Sequence, residues 1–263
     1  TAQPTVPITQ ICAMSPAPEA PLVPVLAKPI VTEPSPGLTC SEYFKQGTTS
    51  FSLLAKRSEA ALRTKPVGVK EHIICTAGSM DVTYEGGSFH IDAGEGLLLP
   101  AQLAVDCTCD GSFAVVAMNA TEAEEKATMV KKVDVVDAPG ITISEHFGKV
   151  ASNDAAMSLA RAVVKGASEE AFQAPLFDEF VVCDEGSIEF LFGDRRLTIG
   201  PGEGIFLPKS LRVKWIWPTA TQYTVLCLPA FSPELSGREA EEGATVAKDS
   251  ASMARLEALH KGA

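Results

Sequence analysis

Histidines, and the acidic residues beside them, are the first side chains of this sequence to test for chemistry. The sequence has four histidines, His72, His90, His146 and His260, and no two of them stand at a spacing typical of metal ligands. His72 directly follows Glu71, so the two could form an acid–base pair. The alternative is that His72 is a structural residue at the rim of the fold.

Cysteines are the second group of reactive side chains. The sequence has seven of them: Cys12, Cys40, Cys75, Cys107, Cys109, Cys183 and Cys227. An odd number spread over a chain of this length is unlike the dense frameworks of small secreted proteins, so we expect reduced thiols and an intracellular or organellar compartment. Cys107 and Cys109 form a C-x-C pair that could bind a soft metal or undergo redox chemistry, and core packing is the alternative.

Charged residues supply three further candidates. Glu169 and Glu170 could be catalytic carboxylates, with a solvated loop as the alternative. Lys209 and Arg212 could together hold an anion. Asp194-Arg195-Arg196 is most simply a charged hairpin tip. The sequence contains neither a phosphate-binding G-x-x-x-x-G-K-[ST] loop nor a G-x-S-x-G nucleophile motif, so no complete catalytic motif is present.

The composition argues against nucleic-acid binding and against a membrane-spanning helix. The chain has 263 residues, 22 basic and 33 acidic, and a net charge of −11, so no basic stripe is available for nucleic acid. No apolar run reaches about 18 residues, which argues against a membrane-spanning helix. The chain starts at Thr1 instead of methionine, and we expect that a leader has been removed.

An internal duplication organises the chain. Residues 71–105 align without a gap to residues 179–213 at a constant offset of 108, and 12 of the 35 pairs are identical. Upstream, PGLTCSEYF at 36–44 matches PGITISEHF at 139–147 in six of nine positions. Such self-similarity is the signature of a tandem repeat.

Each repeat has the pattern of an all-β domain. Short apolar strands end at Gly78 or Gly186 and continue as alternating strands between glycine turns. We expect one short helix at 155–165 and a weaker one near 53–62. The predicted division is an arm (1–35), repeat 1 (36–118), a connector (119–138), repeat 2 (139–231) and a polar tail (232–263). In the tail, Met253, Leu256 and Leu259 could form one apolar helix face.

The arm is both rich in proline and apolar. Residues 1–36 carry nine prolines and only three charged residues, a composition that favours an extended conformation. Ordering such a segment on a neighbouring chain costs little entropy, so we expect the arm to bind a second subunit. The predicted assembly contacts in the arm and on the outer face of repeat 2 are Leu22, Val23, Val25, Leu26, Ile30, Val31, Leu191 and Ile216.

The repeat resembles a cupin. The stretch DEFVVCDEGSIEFLFGDRRLTIGPGEGIFLPKS at 178–210 is similar to the two-part cupin core, and the Trp217-Pro218 pair is similar to the ethanolamine-utilisation type. The resemblance implies two tandem β-barrels or jelly rolls, with short helices. It also implies a metal held by two histidines, a glutamate and a third histidine. Only Glu179, and Glu71 in repeat 1, match that ligand set.

The missing ligands predict barrels without a metal or other cofactor. The places of the first two histidines fall within 172–175, which contains no histidine. The place of the third is Val213, or Val105 in repeat 1. Strand alternation then directs Trp215 and Trp217, and Cys107 in repeat 1, into the barrel interior. We expect these five residues to fill the barrels, with a stacking platform for a ligand as the alternative for the tryptophans.

Across nearly its whole length the chain is similar to the shell proteins of the diatom pyrenoid. The shared features are two regions, each opening with PG-x-T-x-SE-x-F and closing with GEG-x-x-L-P, between an N-terminal arm and a C-terminal tail. The resemblance implies a non-catalytic protein that assembles with itself into a sheet or tube around Rubisco in the plastid stroma, with Rubisco-associated proteins as further partners. The open alternatives are a divergent, metal-independent cupin enzyme and a small-ligand-binding bicupin.

Overall fold

The computed structural model describes residues 22–46, 49–56, 61–65, 68–119, 126–240 and 250–262, and it confirms the all-β fold. The strands in and before repeat 1 are β1 (Val25–Ala27), β2 (Ile30–Ser35), β3 (Leu38–Gln46), β4 (Thr49–Lys56), β5 (Ala61–Lys65), β6 (Val69–Tyr84), β7 (Gly87–Asp92), β8 (Gly96–Leu99) and β9 (Val105–Asn119).

Repeat 2 and its flanking segments supply eleven strands and two helices. The strands are β10 (Thr128–Val130), β11 (Val133–Ala138), β12 (Ile141–Phe147), β13 (Ser158–Val164), β14 (Ser168–Glu169), β15 (Asp178–Glu185), β16 (Ile188–Phe192), β17 (Arg195–Ile199), β18 (Gly204–Leu207), β19 (Lys214–Trp217) and β20 (Thr221–Leu228). A 3-10 turn (Pro233–Leu235) and helix α1 (Ser250–Lys261) follow. No helix of the described residues is long and apolar enough to cross a membrane.

Each repeat folds into its own antiparallel barrel. Repeat 1 is built on a nine-stranded sheet in the order β10-β8-β6-β9-β4-β3-β2, with β7 beside β6 and β5 beside β9. Repeat 2 uses a seven-stranded sheet in the order β1-β18-β15-β20-β13-β12-β11 and a four-stranded sheet in the order β14-β19-β16-β17. The long strands β6 and β9 of repeat 1 therefore correspond to the pairs β15–β16 and β19–β20 of repeat 2.

The predicted helix at 155–165 is wrong. Residues 158–164 form β13, which pairs with β12 on one side and β20 on the other, so the segment is a central strand of its sheet. The weaker helix predicted near 53–62 is also wrong where the structure describes it, because β4 extends to Lys56 and β5 begins at Ala61. Pairing on both edges outweighs the helix propensity of these alanine- and leucine-rich segments.

The two barrels exchange strands reciprocally. The segment before repeat 1 lends β1 to the second barrel, where Val25 lies opposite Phe206 of β18. The segment before repeat 2 lends β10 to the first barrel, where Thr128 lies opposite Leu98 of β8. Val25 and Thr128 are 103 residues apart, which is the offset between the matching segments 36–44 and 139–147. Leu98 and Phe206 are 108 residues apart, the offset of the main repeat. The exchange therefore follows the pseudo-symmetry of the duplication.

Three apolar clusters hold the molecule together. One fills each barrel, and the third joins the barrels through residues of both repeats, including Phe51, Val116, Phe147, Leu159 and Phe180. Burial of large side chains from both domains is the main stabilising term for such an interface. Polar contacts add to it: the Tyr43 hydroxyl donates to the carbonyl oxygen of Gly202 at 2.8 Å.

A glycine marks the closest approach of two strands in each barrel. Gly78 has φ +74° and Gly186 has φ +79°. A Cβ at Gly78 would lie 1.9 Å from the carbonyl oxygen of Asp110, and one at Gly186 would lie 2.2 Å from that of Ala220. Only glycine fits this conformation and this contact, which explains why the two positions are identical in the repeats.

The C-terminal helix packs on the second barrel with the face that the sequence predicts. Leu256 is buried in the core of that barrel, and Met253 and Leu259 pack beside it. The helix lies against β11: Ser252 Oγ donates to the carbonyl oxygen of Asp137, and Arg255 Nη2 donates to that of Asp134. The tail thus packs on the last strand of the large sheet of the second barrel.

Candidate functional site

The side chains expected to fill the barrels are all buried. Val213, Trp215 and Trp217 lie in the core of the second barrel, where the Trp215 ring meets Phe190 edge to face at 4.8 Å. Val105 and Cys107 lie in the core of the first barrel. Cys109 is buried there too, and the described residues contain no group of three His, Cys, Asp or Glu side chains that could hold a metal ion.

The side chains at the metal position of a cupin do not fit a metal. Glu179 is buried in the second barrel, but the bridge between Gln173 and Val213 places an amide and an alkyl group where imidazoles are needed. One carboxylate does not form a transition-metal site. These side chains therefore do not support a metal-dependent reaction at this position.

A lysine occupies the corresponding place in the first barrel. Lys65 pairs with Val105, just as Gln173 pairs with Val213, so the two residues are equivalent. The Lys65 side chain is fully buried, and its Nζ donates to the carbonyl oxygens of Pro100 at 3.0 Å and Leu103 at 3.1 Å. A long cationic side chain from the protein itself therefore fills the first barrel at this level.

The second barrel instead contains a cavity of about 100 Å³. Its wall is mostly apolar, with Val225, Phe231 and Leu256 among the lining residues. Its polar lining residues are Glu145, Ser158, Glu170, Gln173, Glu179, Trp215, Tyr223, Cys227 and Arg238. An apolar pocket with a few convergent polar groups is the usual form of a small-molecule site.

The buried acids of this cavity differ in how they are compensated. Glu170 Oε2 lies 3.1 Å from Arg238 Nη2, and Glu145 Oε1 accepts the backbone N–H groups of Val150 and Ala151. Burial, and next the charge of Glu170, raise the pKa of Glu179 to about 8, although Arg238 opposes the shift. A pKa this high favours the protonated form of Glu179 at neutral pH, in which the carboxyl group can donate a hydrogen bond.

Sequence reasoning found only part of this cavity. It identified Glu179, and it gave Glu169 and Glu170 as catalytic carboxylates or a solvated loop, whereas Glu170 is buried. It did not include Arg238, Tyr223 or Glu145. Arg238 comes from the tail beyond repeat 2, and nothing in its sequence context signals a buried ion pair. The ion pair depends on the path of the chain after the 3-10 turn, which passes beside Phe172, whose carbonyl oxygen accepts from Glu239 N.

Two other predicted candidates are engaged elsewhere. His72 Nε2 lies 3.3 Å from Asp154 Oδ2, so its acidic neighbour in the structure is Asp154 of the other repeat. Arg212 forms a two-point contact with Glu239, at 2.6 and 2.7 Å, and stacks 3.7 Å from the Phe172 ring. A guanidinium held on both its edge and its face is poorly placed to bind an external anion.

The predicted assembly residues of the arm form an exposed apolar ridge, which we define as Leu22, Val23, Val25, Leu26, Ile30 and Val31. All six are exposed, between 42% for Val23 and 65% for Ile30. Leu22 and Val23 precede β1, and the other four lie on β1 and β2, which are edge strands of the two large sheets. Leu191 and Ile216 are half-buried on the neighbouring strands β16 and β19 of the four-stranded sheet.

Two jelly-roll barrels in one chain, with exchanged strands, define a bicupin fold, and solved structures share it. AerE from Microcystis aeruginosa matches 77% of this chain and 98% of its own with a TM-score of 0.62. The coconut allergen cocosin matches 79% and 85% with a TM-score of 0.58. A mutant of Bacillus subtilis oxalate decarboxylase OxdC matches 77% and 76% with a TM-score of 0.57. All three are 10% identical to this chain, which shows the fold alone.

Comparisons of sequence add little to the fold. No family model matches the chain. Among curated proteins, the endoribonuclease YbeY of Myxococcus xanthus (strain DK1622) is 32% identical over 102 residues. The match covers 38% of this chain and 35% of that protein, so the chain spans about a third of the relative's length.

Proposed function

We propose that this protein is a non-catalytic structural bicupin that assembles with itself into a sheet or a tube. The observation that carries the proposal is the apolar ridge, because six large apolar side chains stand exposed within ten residues. Soluble monomers rarely expose contiguous apolar patches of this kind, and such patches mark interaction surfaces. The metal position, which lacks three of its four ligands, supports a role without metal catalysis.

The repeats differ at one edge, and this difference favours an open assembly. Strand β11 of the second barrel is covered by helix α1. Its equivalent in the first barrel, β2, is the last strand of its sheet. Residues Ile30 and Val31 of β2 are 65% and 56% exposed. An edge strand that is exposed in one repeat and covered in the other favours a heterologous contact, and such contacts produce sheets or filaments when the rotation does not close.

The sequence motifs of the two repeats suggest which compartment such an assembly would enclose. The repeated PG-x-T-x-SE-x-F and GEG-x-x-L-P regions are similar to those of pyrenoid shell proteins. We therefore propose a shell around Rubisco in the plastid stroma, where it would support carbon dioxide fixation. Binding of Rubisco-associated proteins to the purified assembly would test this part separately from self-assembly.

Two charge substitutions on β2 test the assembly. The double variant Ile30→Glu and Val31→Glu should leave the fold intact, because both side chains are exposed, and should abolish large particles in light scattering. Val163→Glu is the matched control, since Val163 is 41% exposed but lies outside the ridge. Large particles that persist in the double variant, or that vanish equally in the control, would contradict the ridge as the contact.

A further inference from the structure

We propose that the cavity of the second barrel binds a small, neutral molecule that carries a carbonyl oxygen and short alkyl groups. This inference is independent of self-assembly, because the cavity lies inside the barrel and the ridge lies on the surface. It concerns one barrel only, since Lys65 fills the equivalent level of the other.

Unpartnered polar atoms on the lining residues of the cavity are the main observation. Glu179 and Trp215 are 7% and 3% exposed, and neither Glu179 Oε2 nor Trp215 Nε1 has a hydrogen-bond partner within the described chain. Arg238 Nε is a third such atom. A buried polar atom without a partner costs about 1–3 kcal/mol, so three such atoms on residues that line one cavity indicate a ligand.

The chemistry of these three atoms selects an acceptor. The indole Nε1 of Trp215 and the guanidinium Nε of Arg238 can only donate hydrogen bonds. Glu179 also donates while it is protonated, and its pKa of about 8 keeps it so at neutral pH. A carbonyl oxygen accepts from such donors.

The charged residues around the cavity disfavour a ligand of the same size that carries a carboxylate or an ammonium group. A carboxylate would be placed beside Glu145 and Glu170, and like charges in a poorly solvated site repel strongly. An ammonium group would be attracted by Glu145 and Glu170, but it would lie near the Arg238 cation and would offer no acceptor to the Trp215 and Arg238 donors. A neutral carbonyl compound meets neither obstacle.

The size of the cavity limits the ligand. An engineered apolar cavity of about 150 Å³ binds benzene, which has six heavy atoms, so a cavity of about 100 Å³ suits about four. The apolar wall of Val225, Phe231 and Leu256 would contact the alkyl part. A ligand this small binds in the micromolar to millimolar range.

Four compounds with the same four-heavy-atom skeleton test the ligand class: acetone, acetamide, acetate and isopropylammonium. The fluorescence of the chain's two tryptophans, both in this barrel, reports binding to the full-length protein at pH 7. Acetone and acetamide should give saturable titrations, with acetate and isopropylammonium at least about tenfold weaker. No saturable change with any compound, or a preference for either ion, would overturn the proposal.

Variants locate the site. Glu179→Leu should weaken acetone binding at least about tenfold, whereas the matched change Glu71→Leu in the first barrel should leave it within about twofold. Trp215→Phe, followed by calorimetry, tests the second donor if Glu179→Leu does not fold, and it should also weaken binding severalfold. Unchanged affinity in the folded Glu179 or Trp215 variant, or only ordered water in the cavity of acetone-soaked crystals, would overturn the assignment.

Discussion

The guanidinium of Arg238 lies 3.1 Å from the carboxylate of Glu170 and ties the C-terminal segment to the interior of the second barrel. Glu170 is 6% exposed, so its charge has little access to water. The same arginine donates towards Met253 of helix α1 through Nη1 at 3.8 Å. One cation thus neutralises a buried acid and contacts the helix that covers the barrel.

Removal of this cation should destabilise the protein strongly. Arg238→Met leaves Glu170 buried without its partner, which typically costs about 3–5 kcal/mol. Denaturant unfolding of the full chain measures the loss. The double variant Arg238→Met and Glu170→Gln should recover much of it, because no uncompensated charge remains; a double variant no more stable than Arg238→Met would show that the arginine acts by packing alone.

Glu179 should make the protein less stable as the pH rises. Its pKa is about 8 in the folded state against 4.5 in the unfolded state, so the folded state holds the proton more tightly. The free energy of unfolding therefore falls between about pH 4.5 and 8. Glu179→Gln should remove this slope. From pH 5 to pH 9, its free energy of unfolding should therefore rise by up to about 4 kcal/mol relative to that of the wild-type protein. Parallel pH profiles for the two proteins would contradict the assignment.

His146 has the opposite effect on pH dependence. Burial, and next the positive charges of Arg161 and Lys132, lower its pKa from 6.5 to about 4. The unfolded state then binds the proton first, so stability from this group is complete above pH 6.5 and is lost as the pH falls towards 4. Between pH 7 and 5, the wild-type protein should lose about 2 kcal/mol of stability relative to His146→Leu in thermal unfolding, because the opposite contribution of Glu179 is common to both proteins.

The crossing glycine of the second barrel should not tolerate a side chain. Gly186→Ala places a Cβ 2.2 Å from the carbonyl oxygen of Ala220 at φ +79°, so the strands must separate. We expect a loss of several kcal/mol, or no folded protein, from backbone strain and clash. Gly166→Ala is the control, since nothing lies within 4 Å of its added Cβ, and it should be nearly neutral in thermal unfolding. Equal stability of the two variants would contradict the close crossing.

The duplication made much of the fold predictable. Constant offsets carried the strand pattern of one repeat onto the other, and glycines such as Gly186 marked the turns. The segment of β13 was misread because its alanines and its arginine favour a helix locally, while pairing with β12 and β20 decides its structure. Local sequence contains no signal for a partner strand that lies about 60 residues away.

The site was less predictable for a related reason. Glu179 stood out because the cupin resemblance implies a ligand at its position, although the sequence has no histidines where the partner ligands would lie. Arg238 and Glu170 are 68 residues apart, and only the return of the tail across the barrel brings them together. The strand exchange of β1 with β18 was likewise hidden, since Val25 and Phe206 belong to different repeats.

Negative-stain electron microscopy of the purified, full-length protein, with light scattering on the same sample, tests the central claim most directly. The proposed structural role predicts sheets, tubes or very large particles, because the ridge of one chain is buried on the next. Discrete monomers or dimers over a range of ionic strengths would contradict self-assembly.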